Sequence, residues 1–350
     1  MKHYSIAAVL PGMNVFGGVR RYLQLGNVWA AWGHRVTLYT PDGLAPAWFR
    51  FGGEVRRFDE APKNAPAEGA HDLAFTPEPP LLPVLRALPA VRRAFYVAVE
   101  GGPHEGEALR DRELLVYAVS GALRRALSRR WGRPILDGAG AVDAGLFRPR
   151  PIERDPRAPV VLAFGRRSRP RKGTALVVAA AEQAARRVPG LRLELFDHVG
   201  PGNERDPRAG FEAKLPWHYT LNPSQEELAA LYARADVFVA AERKAGWCNT
   251  AIEALASGCP LVCTTSGTGD FARHGETARV VRIRHPFFLA REIVRVLEDP
   301  GMRERMSRAG RNEALRHGWP ALAGRILAQA GLADGVRDDV AIGAVTGAGA

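Results

Sequence analysis

The residues best suited to chemistry fall into three short Gly-containing stretches, each between an apolar run and a helical pattern. In one, Gly165-Arg166 is followed by Arg171-Lys172-Gly173. Two cations at the end of a strand and beside a helix start suit a diphosphate: Arg166 can bind bidentately and Lys172 acts as a point charge. Lys172 is one of five lysines against forty-four arginines, so an arginine-biased composition does not account for it. A solvated basic loop is the other reading. In the second stretch, Gly246-Trp247-Cys248-Asn249-Thr250 runs into a helix that carries Glu253 about one turn inside and stops at Gly258. Unbonded N–H groups at a helix start suit a phosphate. Glu253 could accept bonds from sugar hydroxyls, or could be an ordinary exposed helical Glu. The third stretch is Gly17-Gly18, which either lets the backbone approach an anion or serves a turn that needs positive φ. None of these spells the dinucleotide pattern G-x-G-x-x-G.

The elements that must position these residues alternate in type. Strand patterns over 6–10, 36–39, 55–58, 73–75, 95–99 and 114–119 are interleaved with helical ones, notably over 19–33 and from Ser120. An irregular Gly/Ala/Pro-rich stretch over 134–151 closes this series. A second series has strands at 159–164, 191–196, 236–240 and 260–264 and helices at 173–187 and 249–257. Ser224-x-x-Glu227 is a capping box that opens a helix with Leu228, Leu231 and Tyr232 on one face. Helices fill 286 to about 330. Alternation of this kind predicts α/β layering with parallel sheets, whose ligands sit beyond the carboxyl ends of the strands. The division expected is 1–150 and 151–318, with a helix at 319–330 returning to the first domain and a flexible tail at 331–350.

A chain of 350 residues, 46% hydrophobic and 25% charged, is long enough for two cored domains, which excludes a disordered chain or a disulfide miniprotein. Three cysteines make a poor disulfide framework and point to a reducing, cytoplasmic compartment. Cys259 and Cys263 lack two further ligands at zinc spacing. The apolar run at 6–10 stops at Pro11-Gly12, too short for a signal core or a spanning helix. The net charge of +12 does not by itself choose between nucleic acid, an anionic membrane and phosphorylated ligands. No nucleic-acid module or basic run with stacking aromatics is present, so no nucleic-acid partner is expected.

The order of the pieces adds to their meaning. Gly165-Arg166 and Lys172-Gly173, then Ser224 to Tyr232, then the Gly-aromatic loop, Glu253-Ala254-Leu255-Ala256-Ser257-Gly258 and Pro260-Leu261-Val262 closely resemble glycosyltransferase family 4. Gly17-Gly18-Val19, Ala118-Val119-Ser120, Leu146-Phe147-Arg148-Pro149 and Phe271 to Ala278 extend the likeness over roughly residues 4 to 330. The resemblance implies the GT-B fold, with two facing Rossmann-like domains, the acceptor mainly on the first and a nucleotide-sugar on the second. It also implies retaining, metal-independent transfer from a UDP-, GDP- or dTDP-type sugar to a glycan, lipid-linked or small-molecule acceptor, as in surface polysaccharide or glycoconjugate biosynthesis. The absence of Asp-x-Asp fits an enzyme without a metal cofactor. In that scheme Arg166, Lys172 and the helix start at Cys248, Asn249 and Thr250 neutralise the leaving diphosphate, and Glu253 holds the ribose. Gly17 and Gly18 approach the diphosphate from the other domain, Gly246 and Trp247 form the Gly-aromatic pair, and Tyr219-Thr220 lie near the nucleobase. The acceptor hydroxyl loses its proton to the departing phosphate.

One departure stands out. The family pattern has Glu-x7-Glu with its first Glu, associated with the donor sugar, directly before the Gly-aromatic pair, where this chain has Ala245. Either Glu242 supplies a carboxylate, or the sugar is held otherwise, or transfer is impaired and the chain is a nucleotide-sugar-binding or partner protein. Relatives place a His near the reacting carbon; His104, beside Glu100, is the candidate here, whereas His71 reads as structural. Leu123, Ala126, Leu127 and Trp131 share one helical face bordered by Arg124, Arg125, Arg129, Arg130 and Arg133. That face either docks on anionic lipid, giving peripheral contact at the inner membrane surface, or packs on the sheet.

Overall fold

The computed structural model describes residues 2–13, 17–60, 70–99, 101, 105–152, 155–199 and 206–337. They form two units, 1–140 with 319–350 and 141–318.

The first unit holds β1 (Ser5–Val9), α1 (Gly17–Ala31), β2 (Arg35–Thr40), β3 (Glu54–Arg57), β4 (His71–Thr76), α2 (Leu82–Ala87), β5 (Ala90–Val97), α3 (Glu105–Arg110), β6 (Leu114–Ala118), α4 (Gly121–Trp131) and β7 (Leu136–Asp137). Its seven strands are parallel in the order β3-β2-β1-β4-β5-β6-β7. The second unit holds β8 (Val160–Phe164), α5 (Thr174–Ala185), β9 (Arg192–Asp197), β10 (Trp217–Leu221), α6 (Gln225–Arg234), β11 (Val237–Ala240), α7 (Asn249–Ala256), β12 (Leu261–Thr264), β13 (Arg279–Val281), α8 (Pro286–Glu298) and α9 (Pro300–Leu315). Its six parallel strands run β10-β9-β8-β11-β12-β13. Val-Phe-Val-Ala of β11 and Leu-Val-Cys-Thr of β12 are buried throughout, as strands covered by helices on both faces must be.

In each sheet the strand order reverses once: between β1 and β4 in the first unit, between β8 and β11 in the second. The connections after those strands run to opposite faces and leave a crevice at their carboxyl ends. All three Gly-containing stretches follow one of these strands.

Two expectations need correction, and a third alternative is narrowed. Residues 141–150, assigned above to the first domain, belong to the second unit. Val142 donates to the His317 carbonyl at 2.8 Å, Phe147 is fully buried in the second unit's core, and the Arg311 guanidinium holds the carbonyls of Ala144, Phe147 and Ala256. Residues 331–336 are not a flexible tail. After α10 (Trp319–Gln329) the chain turns back on the first unit, where His34 Nε2 meets the Gly335 carbonyl at 2.8 Å and Leu332 is buried. Residues 338–350 lie outside the described residues. Finally, α4 turns Leu123 and Leu127 into its own unit, and Arg133 is buried, donating to the carbonyls of Leu109, Asp111 and Leu114. Leu123 and Leu127 of the stripe thus pack inward, as one of the two readings has it, while Trp131 is half-buried. Among the described residues no helix is long and apolar enough to cross a membrane.

Candidate functional site

The site in the second unit is built from the two loops that flank its switch point. After β8 the chain passes through Gly165 and Arg166 to a 3-10 turn, Pro170–Lys172, and enters α5 at Gly173. After β11 it passes through Ala241 to Ala245 and enters α7 behind Cys248.

Glycine at 173 is a steric requirement. Its φ is +81°, and an added Cβ would lie 2.1 Å from the Ala241 carbonyl oxygen. The absence of a side chain lets the two loops touch. Gly173→Ala should therefore destabilise the protein by roughly 2–4 kcal/mol, combining left-handed strain with overpacking. Urea denaturation checks this, and a loss below about 0.5 kcal/mol would mean the loops separate freely. Gly165 is similarly constrained, since a Cβ there would meet the Tyr219 hydroxyl at 2.5 Å.

Both predicted clamp cations sit on these loops, and both are ion-paired. Arg166 is 4% exposed, donates to the His198 carbonyl at 2.5 Å, and lies 3.6 Å from a carboxylate oxygen of Asp197. Lys172 Nζ reaches both carboxylate oxygens of Glu242, at 3.0 and 2.9 Å, and lies 5.4 Å from the centre of the Phe164 ring. The Glu242 carboxylate also accepts the Cys248 thiol at 3.5 Å, and its backbone carbonyl accepts the Thr264 hydroxyl at 2.8 Å. Burial and the neighbouring Glu242 charge push the Cys248 thiol well up, so it stays protonated and is no nucleophile. The Glu242 carboxylate thus lies at the switch point, turned toward Lys172.

Ala245 occupies a tight position. Its N–H donates to Ser266 Oγ at 2.8 Å, and Cys248 N–H donates to the Gly267 carbonyl at 2.8 Å. A Cβ on Gly267, whose φ is +73°, would come within 2.8 Å of the Ala245 Cβ. Gly246 and Trp247 follow, half-buried; the indole packs edge-on to Phe271 and lies 5.3 Å from the His317 ring. Asn249 is exposed and Thr250 half-buried at the start of α7, so the N-terminus of that helix is accessible.

Glu253 and Tyr219 differ from expectation. Glu253 is only 6% exposed, and its carboxylate accepts the buried Tyr232 hydroxyl at 3.1 Å. Tyr219 is buried in β10 against Phe211 and donates to the Gly165 carbonyl at 2.6 Å, propping up the β8 loop rather than offering a ring face to a base. Thr220 beside it is half-buried. In the first unit, Gly17 and Gly18 start α1, and a Cβ on Gly18 would meet nothing within 4 Å. The free space there, rather than a strained turn, is what glycine leaves. His104 and Glu100 lie outside the described residues.

Sequence reasoning missed Asp197 and Arg284. Asp197 ends β9, and an acidic residue closing an apolar strand was the available signal. Arg284 precedes α8 and donates from Nε to the Ala241 carbonyl at 2.9 Å. A cavity of about 490 Å³ opens here, its lining including Arg166, Arg167, Pro170, Gly173, Phe211 and Arg284. Among the described residues no group of three or more His, Cys, Asp or Glu could hold a metal ion.

Residues 158–299 match the family described as Glycosyl transferases group 1. The lipopolysaccharide core biosynthesis glycosyltransferase LpsE of Rhizobium meliloti is 28% identical over 232 residues, which cover 64% of this chain and 65% of that protein, so the chain spans less than two thirds of the relative. Among solved structures, sucrose-phosphate synthase of Thermosynechococcus elongatus superposes with a TM-score of 0.72 at 20% identity, covering 93% of this chain and 99% of that one. HepE of Anabaena in complex with UDP-glucose gives 0.70 at 15% identity over the same shares. These likenesses show the fold, GT-B with two Rossmann-like units. Through residues 158–299, the unit that carries the paired cations and the accessible start of α7, the chain is similar to the glycosyl transferases group 1 family.

Proposed function

We propose that the protein transfers a glycosyl group from a nucleoside-diphosphate sugar to a glycan, lipid-linked or small-molecule acceptor, with retention at the anomeric carbon and without a metal, in building a surface polysaccharide or glycoconjugate. The observation that carries this is the convergence of Lys172, Arg166 and the N-terminus of α7 at one switch point. The HepE structures in complex with UDP-glucose and with UDP and glucose support the donor class.

In the reaction the bond between the anomeric carbon and the diphosphate oxygen breaks, and the acceptor oxygen bonds to that carbon on the same face. The acceptor proton passes to the departing diphosphate. What the chain must supply is charge stabilisation of that leaving group. Lys172 can give it by rotating from Glu242 toward the phosphate, and the unbonded N–H groups of α7 add the helix dipole. Arg166, held by Asp197, orients the β8 loop.

A thermal-shift screen of UDP, GDP, dTDP and their sugars tests the reading, and absence of binding to every nucleotide sinks it. Lys172→Ala should weaken binding of the best nucleoside diphosphate by about 1.5–3 kcal/mol, the scale of a charged hydrogen bond. Unchanged affinity by calorimetry would remove Lys172 from the clamp.

Ala245 favours a second reading, a nucleotide-sugar-binding protein with impaired transfer. Nucleotide binding without donor turnover over a broad acceptor panel selects it, and turnover gained by Ala245→Glu would support it further.

A further inference from the structure

The positive charge around the switch point exceeds what the paired cations represent. Arg171 lies on the loop after β8, Arg243 and Lys244 on the loop after β11 and Arg284 just before α8, and none forms an ion pair with a described carboxylate. Backbone contacts fix them close together. Arg243 N–H donates to the Arg171 carbonyl at 2.7 Å. The Arg284 guanidinium bridges the Ala241 and Pro170 carbonyls at 2.9 and 3.5 Å. Lys244 is held at a left-handed φ of 58°, an arrangement that non-glycine residues adopt infrequently and that occurs at functional loops. Burial and the neighbouring Arg243 charge both work against the charged form of Arg284. Nearby cations without a counter-ion repel one another, and a bound anion would relieve that repulsion.

The adjoining cavity, about 490 Å³, is large enough for a small ligand, and Arg166, Arg167 and Arg284 line it. Its acidic residues are Glu182 and Glu212. Glu182 lies more than two turns along α5 from Thr174 and already accepts the Lys214 N–H at 2.9 Å. Glu242, the one carboxylate on the two loops, is engaged by Lys172.

We propose that Arg243 and Arg284, with Arg171 and Lys244, form a second anion site beside the diphosphate clamp, which takes a carboxylate or phosphate carried by a sugar, either the donor's own or the acceptor's. That a sugar carries the anion rests on the donor site proposed above; that an anion binds does not.

Calorimetry on the full chain tests it with glucose, glucuronate, glucose 6-phosphate and inorganic phosphate as probes. Glucuronate or glucose 6-phosphate should bind at least about tenfold more tightly than glucose, the scale of one charge-assisted hydrogen bond. Whichever of the two binds identifies the anion as carboxylate or phosphate. Repeating the titrations with the best nucleoside-diphosphate sugar present tells the sources apart: additive binding places the anion on the acceptor, and mutual exclusion places it on the donor sugar. Arg243→Ala, an exposed position, and Arg284→Lys, which keeps the charge and loses the two-carbonyl bridge, should each reduce the preference to below about threefold. Equal binding of all three sugars, or a preference that survives both variants, overturns the site. Inorganic phosphate binding as tightly as glucose 6-phosphate overturns the sugar part. Loss of nucleotide binding with the anion preference intact would sink the proposed function and leave this site standing.

Discussion

Glu292→Ala should cost the second unit about 3–5 kcal/mol, because it leaves a mostly buried cation without its partner. Glu292 lies on α8 with its side chain 3% exposed, and three arginines converge on it: Arg279 at 2.7 Å, Arg291 at 3.2 Å and Arg295 at 3.1 Å. Burial by itself would raise the Glu292 pKa; the Arg279 hydrogen bond and the three positive charges outweigh it and hold the carboxyl below its usual range. Arg279, 13% exposed on the edge strand β13, is the group the deletion would strand, while Arg291 and Arg295 are half-exposed and would rehydrate. Because the folded pKa is depressed, the contribution is complete at neutral pH and fades as pH falls through the carboxylate range. Urea unfolding at pH 7 measures the loss, and a change under about 1 kcal/mol would place this cluster with ordinary surface ion pairs.

Acidification should weaken the first unit earlier, through His71. This ring is 4% exposed, between Ser5 Oγ at 2.9 Å from Nδ1 and the Tyr39 hydroxyl at 3.2 Å from Nε2. Burial, reinforced by the charges of Arg35 and Arg56, lowers its pKa to about 4. Below the ordinary histidine value of about 6.5, the unfolded chain takes up a proton that the folded unit refuses. Stability therefore falls between about pH 6.5 and 4, by up to roughly 3 kcal/mol at the low end. Denaturant unfolding at pH 7 and 4.5 should show the loss, and His71→Gln should flatten the profile over that window. A wild-type profile already flat there would mean that His71 becomes protonated without unfolding.

The layered α/β architecture was legible because fully buried parallel strands read as apolar runs. The segments 159–164, 191–196, 236–240 and 260–264 fall within a residue or two of β8, β9, β11 and β12. The capping box at Ser224 and Glu227 forms with both of its hydrogen bonds. Elements whose local signal is weak were missed. β10, Trp-His-Tyr-Thr-Leu, has four of its five residues at least partly open to solvent, only Tyr219 being buried, and reads as loop. β5 starts at Ala90 because Arg93 lends its guanidinium to the carbonyls of Leu85 and Leu88, which the charged Arg92-Arg93 pair conceals. At the candidate site, the placement of Arg166, Lys172 and the α7 start on adjacent loops was readable from strand order. Their pairing with Asp197 and Glu242 was not, because those partners meet across 31 and 70 residues of sequence. The arginine excess also changes meaning: Arg133 and Arg311 serve as multiple donors to backbone carbonyls, a role that charge counting does not reveal.

The return of α10 to the first unit makes that unit discontinuous in sequence, and this bears on the order in which the chain can fold during synthesis. Trp29 Nε1 bonds the Ala323 carbonyl, the Tyr117 hydroxyl bonds the Ile326 carbonyl, and the Gln329 side chain bonds both N–H and C=O of Asp137. None of these partners has been translated when residue 140 leaves the ribosome. The second unit, continuous from 141 to 318, has all its strands and helices available first. The first unit then waits as an incomplete core, with its buried Trp29 and Tyr117 lacking partners, until the last helix emerges. On a translating ribosome, protease resistance should therefore arise in the middle of the chain before it arises at the amino end.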